Sequence, residues 1–285
     1  MNFFNVKQLL DYIFSHEYVF KTVKKYFINN ADKLGIDFLD IGYRKNGILN
    51  YHDFDISGEN FVISYWLKDF FLKFSGQKKN IFDIGANAGD YSYKLLRNFN
   101  NDYIFSFEPN NKSYLKLQDR FQDAINLQLF NLALSSKNEK SFLYFKKDGT
   151  LDEHSSMVKS VFTDIHNYGY KDIGSIEVES ITLDSFCFKK NIDIIHFIKI
   201  DTEGNELEIL KGAKELLKDG KIQSIQFEFN EMNIASRVYL KDFFDLLPNF
   251  NFYRLLPNGL LELKYHPKHE IFLFQNILAV KKDLN

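Results

Sequence analysis

At residue 81 the chain changes its pattern: short apolar runs begin to alternate with helix-like segments, and few architectures accommodate that order. Runs at 81–84, 103–107 and 127–131 read as strands, with helices between them at 90–98 and 110–122. The alternation returns as a strand at 194–200, a helix at 206–218, a strand at 222–229 and a helix at 236–247. Strands buried on both faces read as continuous apolar runs and need crossover helices, so the pattern predicts a doubly wound, mostly parallel α/β sheet. Two last strands, about 250–256 and 271–281, flank Pro257-Asn258-Gly259 and predict an antiparallel finish. Extra extended segments are expected at 139–147 and 176–186. A long polar loop between them contains His154, Ser155, Ser156, His166 and Gly169, and loops of that length inside a domain are usually functional or mobile.

Upstream of residue 81 the reading is different. Residues 5–30 show apolar side chains at helical spacing, 36–57 read as irregular, and 59–74 carry one apolar stripe: Val62, Trp66, Leu67, Phe70, Phe71 and Phe74. Ser75-Gly76-Gln77-Lys78-Lys79 ends that helix. The expected organisation is therefore an amino-terminal cap over residues 1–75 and a single α/β domain over 76–285.

Composition narrows the class of partner. The 285 residues carry a formal charge of −2, so no polybasic surface for nucleic acid dominates, and 45% hydrophobic residues can fill one large core. The single cysteine, Cys187, excludes an internal disulfide and cysteine-built metal clusters, and it is expected as a small buried hydrophobe in a cytoplasmic protein. Lys7, Gln8, Asp11 and His16 interrupt the amino terminus where a secretory apolar core would be, and no stretch approaches the roughly 20 apolar residues of a membrane span. Abundant Phe, Lys, Asn and Ile with only 4 Pro point to AT-rich, bacterial coding.

The chemistry is concentrated at strand ends. Asp83-Ile84-Gly85-Ala86-Asn87-Ala88-Gly89 turns the first strand into its helix, where glycine lets a ligand approach backbone N–H groups. Asn87 and Asp90 stand where a dinucleotide fingerprint G-x-G-x-x-G has its second and third glycines, so a pyrophosphate fits poorly. Glu108, at the end of the next strand, can accept hydrogen bonds from both hydroxyls of a ribose. Asn131 with Leu132 and Ala133, after the third strand, can meet an adenine. The fourth strand ends in Asp201-Thr202-Glu203-Gly204-Asn205-Glu206-Leu207-Glu208, and the fifth in Glu228-Phe229-Asn230. Ligands of open α/β sheets bind outside the carboxyl ends of the strands, so Asp201 should share a cleft with Asp83, Gly85 and Glu108. Glu206 and Glu208 read as solvated or helix N-terminal charges.

Taken in order, DIGANAGDY, FEP, NLALS and IKIDTEGNELEILKGA resemble the FkbM family of S-adenosylmethionine-dependent methyltransferases over roughly residues 79–230. The resemblance implies a class I methyltransferase fold, a Rossmann-like seven-stranded sheet with an antiparallel last strand. It also implies that Asp83, Gly85, Asn87 and Gly89 surround the methionine moiety of the cofactor, Glu108 holds the ribose, Asn131 and Ala133 meet the adenine, and Asp201 faces the transfer site. A hydroxyl acceptor needs a base, for which His154, Asp201, Glu203 and Glu228 are candidates. Asp201, Glu228 and Asn230 are an oxygen set that can hold Mg²⁺. The expected activity is O-methylation of a sugar or nucleotide-activated sugar for surface polysaccharide, with the acceptor between the 148–175 loop and the amino-terminal helices. Lys146, Lys147, Lys159 and Lys171 are on hand for a diphosphate. A nicotinamide-dependent sugar oxidoreductase or epimerase and a non-catalytic cofactor-binding scaffold are the competing classes, and the aromatic amino terminus either caps the cleft or forms a homodimer contact.

Overall fold

The computed structural model describes residues 15, 17–147 and 155–284. The chain divides between Lys45 and Asn46 into two compact units. The smaller contains helices Glu17–Leu34 and Phe38–Lys45. The second lies where irregular chain is expected, and local chemistry explains it: Asp37 Oδ1 accepts the N–H groups of Leu39 and Asp40 at 2.9 Å, capping the helix, and Arg44 pairs with Asp40 one turn back.

The larger unit contains strands β1 (Asn80–Ile84), β2 (Tyr103–Phe107), β3 (Leu127–Phe130), β4 (Ala133–Leu134), β5 (Glu139–Lys146), β6 (Ser155–Ser156), β7 (Ile173–Ile181), β8 (Phe197–Ile200), β9 (Ser224–Phe229), β10 (Phe250–Leu256), β11 (Gly259–Leu263) and β12 (Gln275–Lys281). The main sheet has the order β11-β10-β12-β9-β8-β1-β2-β3. From β3 to β9 all neighbours are parallel, whereas β12 is antiparallel to both β9 and β10. This is the expected class I sheet with an eighth strand added. The two-residue turn Pro257-Asn258 folds β11 back on β10, with Leu256 opposite Gly259. A second, four-stranded sheet has the order β4-β7-β5-β6. Its β7 stops at Ile181, short of the expected 186, because Thr182 caps a helix by accepting the N–H of Ser185 at 3.1 Å.

Strand alternation sends side chains to two cores. Phe82, Ile84, Phe105, Phe107, Ile198, Ile200 and Phe227 face the helices Leu183–Lys190 and Glu206–Lys211, together with buried Cys187. Ile81, Ile104, Phe197 and Leu278 face the other way, against Val62, Ile63, Leu67, Phe70 and Phe71 of the 59–74 stripe and Tyr91 and Leu95 of the helix Asp90–Asn98. The stripe thus belongs to the same compact unit as the sheet, and each of its fully buried side chains contributes about 1.5–3 kcal/mol. Among the described residues no helix is long and apolar enough to cross a membrane.

Candidate active site

The carboxyl ends of β1, β2 and β8 open onto a cleft walled by Gly85, Asn87, Glu108, Leu132, Ala133, Leu134, Asp201 and Glu203. Gly85 has φ +84°, and a Cβ there would run into the carbonyl oxygen of Asp201, so the tips of β1 and β8 can touch only because the residue is glycine. Asn87 and Glu203 are also left-handed, at φ 46° and 56°; Asn tolerates this and Glu pays for it in strain. Ser155 and Met157, just after the undescribed part of the polar loop, close one side of the cleft.

Glu108 is 5% exposed, and its two carboxylate oxygens accept the backbone N–H groups of Asn87 at 2.9 Å and Asn110 at 2.7 Å. Burial pushes the Glu108 carboxyl up to about 7, against those two bonds, which lower it. Asn131 does not line the cleft; its amide donates to the carbonyls of Glu108 and Pro109 at 2.9 and 3.0 Å and so braces the turn that carries Glu108. Glu206 is buried, not solvated. Its Oε1 accepts from Thr202 N, Thr202 Oγ1 and Gly204 N at 2.9, 3.0 and 3.2 Å, which ties down the loop after Asp201, and burial pushes it up to about 7. Glu208, half-buried, bonds Ser136 and Lys211 instead.

Two residues of the first turn stand away from the cleft wall. Asp83 is wholly buried on the opposite sheet face, accepting from Ser92 Oγ at 2.5 Å. Gly89, at φ +87°, leaves room for Phe121 and Leu117, which a Cβ would approach to 2.5 and 2.6 Å. Its missing side chain serves helix packing.

On that opposite face a polar row runs across four strands: Ser106, Asp83, Lys199 and Gln226 are register neighbours on β2, β1, β8 and β9. Lys199 is 7% exposed and pairs with Asp201 at 2.8 Å. Burial alone would lower the Lys199 pKa, but Asp201, Asp83 and Glu59 outweigh it and raise it, so the ammonium persists. Gln226 donates to Glu59 at 3.2 Å and accepts from Tyr91 at 3.1 Å. Glu228, two residues further along β9, hydrogen-bonds Asp201, and burial, then Asp201 and Glu203, raise it well above the ordinary carboxyl range.

Above this row lies a second pocket, lined by Tyr51, His52, Asp53, Phe54, Ser57, Glu59, Asp201, Glu228, Phe274 and Asn276. Asp201 belongs to both cavities. Sequence reasoning does not anticipate the contribution of the 51–59 segment, Phe274, Asn276 or Lys199. The clearest signal for any of them is Lys199 itself, a charge between Ile198 and Ile200 in a strand otherwise built for burial. His154 lies outside the described residues.

The oxygen set considered for Mg²⁺ does not fit a metal. Asn230 Oδ1 accepts the N–H of Met232 at 2.8 Å, Asp201 is engaged by Lys199, and Glu228 is turned to Asp201. Among the described residues no three His, Cys, Asp or Glu side chains are grouped to hold an ion.

A parallel sheet with an antiparallel strand set into it, and a glycine-walled cleft at its carboxyl ends beside a buried carboxylate, is the arrangement of a methyltransferase. Residues 83–254, more than half of the chain, match the model of the methyltransferase FkbM domain, and the chain belongs to that family of S-adenosylmethionine-dependent methyltransferases. It is 27% identical over 184 residues to the 2-O-methyltransferase NoeI of Sinorhizobium fredii, covering 63% of this chain and 75% of that protein. Among solved structures it is similar to the METTL16 MTase domain, with TM-score 0.44, 11% identity, and 80% and 68% of the two chains covered. It is also similar to a precorrin-6y C5,15-methyltransferase from Geobacter metallireducens, with TM-score 0.39, 12% identity, and 75% and 86% covered.

Proposed function

We propose that the protein methylates a hydroxyl of a sugar, with the cofactor along the Gly85–Glu108–Ala133 wall and the acceptor in the pocket across Asp201. One observation carries this reading: a single carboxylate, held by a buried lysine, walls both cavities. The name of the relative NoeI, a 2-O-methyltransferase, supports oxygen as the methylated atom.

The residues present suit the cofactor. An ionised carboxyl offers about four lone-pair sites; backbone N–H groups use two on Glu108, and two remain for ribose hydroxyls. Leu132, Ala133 and Leu134 give an adenine an apolar wall. The Asp201 carboxylate stands at the cleft wall, where a negative charge favours a bound cation. When bound, S-adenosylmethionine supplies an electrophilic methyl group on a cationic sulfur.

The chain's own work is to orient the acceptor, exclude water and move one proton. Lys199 holds the Asp201 carboxylate in place between the cavities. Asp201 would take the hydroxyl proton as the acceptor oxygen gains its bond to the methyl carbon, whose bond to sulfur breaks to leave neutral S-adenosylhomocysteine. Glu228, hydrogen-bonded to Asp201, shares the proton and keeps the pair from carrying two negative charges. Radiolabelled methyl transfer from S-adenosylmethionine to a panel of saccharides tests the reading. Labelled ether on a sugar is expected, and binding of S-adenosylhomocysteine without transfer to any saccharide would overturn it.

A further inference from the structure

The chemistry of the second pocket says more about the acceptor than that it is a sugar. Four carboxyl-bearing residues line it, Asp53, Glu59, Asp201 and Glu228, while among the described residues no lysine or arginine lines it or the neighbouring cleft. Lys199, the cation beneath, is already paired with Asp201. Three of the four lysines that the sequence offers to a diphosphate are turned to other work: Lys146 lies 4.8 Å over the Tyr168 ring, Lys159 lies 5.2 Å over Tyr170, and Lys147 donates to the carbonyl of Lys171 at 3.2 Å. A pyrophosphate brought into this pocket would meet like charge and lose its water without a compensating cation.

The rim is aromatic. Tyr51 packs edge-on to Phe274, ring centres 5.9 Å apart, and lies 4.8 Å from the His52 ring. Tyr51 is 54% exposed, so its ring is open to an incoming molecule. At the wall, Asn276 stands opposite Glu228 in the β9–β12 register and is 6% exposed, its amide facing the pocket it lines. Aromatic faces for C–H surfaces, carboxylates that accept from hydroxyl or ammonium groups, and an amide that donates and accepts together match a pyranose ring without phosphate.

We infer that the pocket beside Asp201 takes an uncharged or amine-bearing sugar ring, as in a glycoside or oligosaccharide, and rejects the same sugar carried on a nucleoside diphosphate. This rests on the sugar O-methyltransferase reading above. It places the enzyme after glycosyl transfer: a reaction that joins the sugar to its aglycone or neighbouring sugar must supply the substrate.

The test compares matched acceptors with the full chain. Each of several monosaccharides is presented as its methyl glycoside and as its nucleoside diphosphate derivative, and methyl transfer is measured for both. Calorimetry with S-adenosylhomocysteine serves as the folding control. The expected result is a kcat/KM at least tenfold higher for the glycoside form. Tyr51→Ala and Asn276→Leu should each lower the glycoside value about tenfold, chiefly through KM, with the affinity for S-adenosylhomocysteine unchanged. Equal or better use of the diphosphate form overturns the inference and leaves the sugar reading standing. Transfer to neither form, with S-adenosylhomocysteine still bound, overturns both.

Discussion

The two cavities that meet at Asp201 are built by different means. The cleft proposed for the cofactor is made where successive strands end, and much of its wall is backbone: the Gly85 turn against the Asp201 carbonyl, and the Asn87 and Asn110 N–H groups that fix Glu108. The neighbouring pocket is made of side chains drawn from distant parts of the chain, Tyr51, Glu59, Glu228, Phe274 and Asn276. A wall of backbone can change only by refolding the turn, whereas a wall of side chains changes one substitution at a time. One domain can therefore keep its cofactor while altering its acceptor.

Asp201→Asn probes the shared wall and should have the largest effect. Turnover should fall on the order of 10²–10⁴-fold, while the calorimetric affinity for S-adenosylhomocysteine changes far less. Equal losses in both would assign Asp201 to the cofactor side alone. Gly85→Ala attacks the backbone-built cleft. It forces a Cβ against the Asp201 carbonyl at a left-handed φ, and a stability loss of about 3 kcal/mol is expected in urea unfolding. A variant as stable as the parent would show that the two strand tips need not touch.

Smaller effects follow from Glu108. Its folded value of about 7 lies above the ordinary 4.5, so the free protein keeps that proton below pH 7 and releases it above. The protonated form favours the fold, a contribution fully present below pH 4.5 and lost as pH rises through about 7; Glu206 behaves in the same way. Ribose hydroxyls need the ionised carboxylate as acceptor, so affinity for S-adenosylhomocysteine should rise several-fold from pH 6 to 8. Glu108→Gln should flatten that dependence, and a pH profile identical to the parent's would remove Glu108 as its source. The smallest expected effect is that of EDTA, which should leave turnover unchanged. Loss of activity restored by Mg²⁺ would contradict the donor geometry at Asn230 and Asp201.

The same contrast explains what can be read from the chain. The cleft is legible because Gly85, Asn87, Glu108, Ala133 and Asp201 each sit at the end of an apolar run, where sheet topology alone dictates that they converge. Asp83 and Gly89 share the first of those runs, but strand alternation turns Asp83 to the other face and packing claims Gly89. The pocket is not legible in that way. Tyr51 and Glu59 precede the sheet and Phe274 and Asn276 end it, and no local periodicity links them; the bridge between Ile48 and Gln275 that brings these segments together is purely tertiary. The eighth strand, β11, escapes because Pro257-Asn258-Gly259 reads as part of a connection between the last two strands, whereas Gly259 already pairs with Leu256 and opens a strand of its own.

Calorimetric titration of the purified chain and of Glu108→Ala with S-adenosylhomocysteine tests the cofactor cleft most directly. The account predicts one-to-one binding by the parent, weakened by about 1–3 kcal/mol when the carboxylate is removed. Undiminished affinity in the variant, or no binding by the parent, would contradict it.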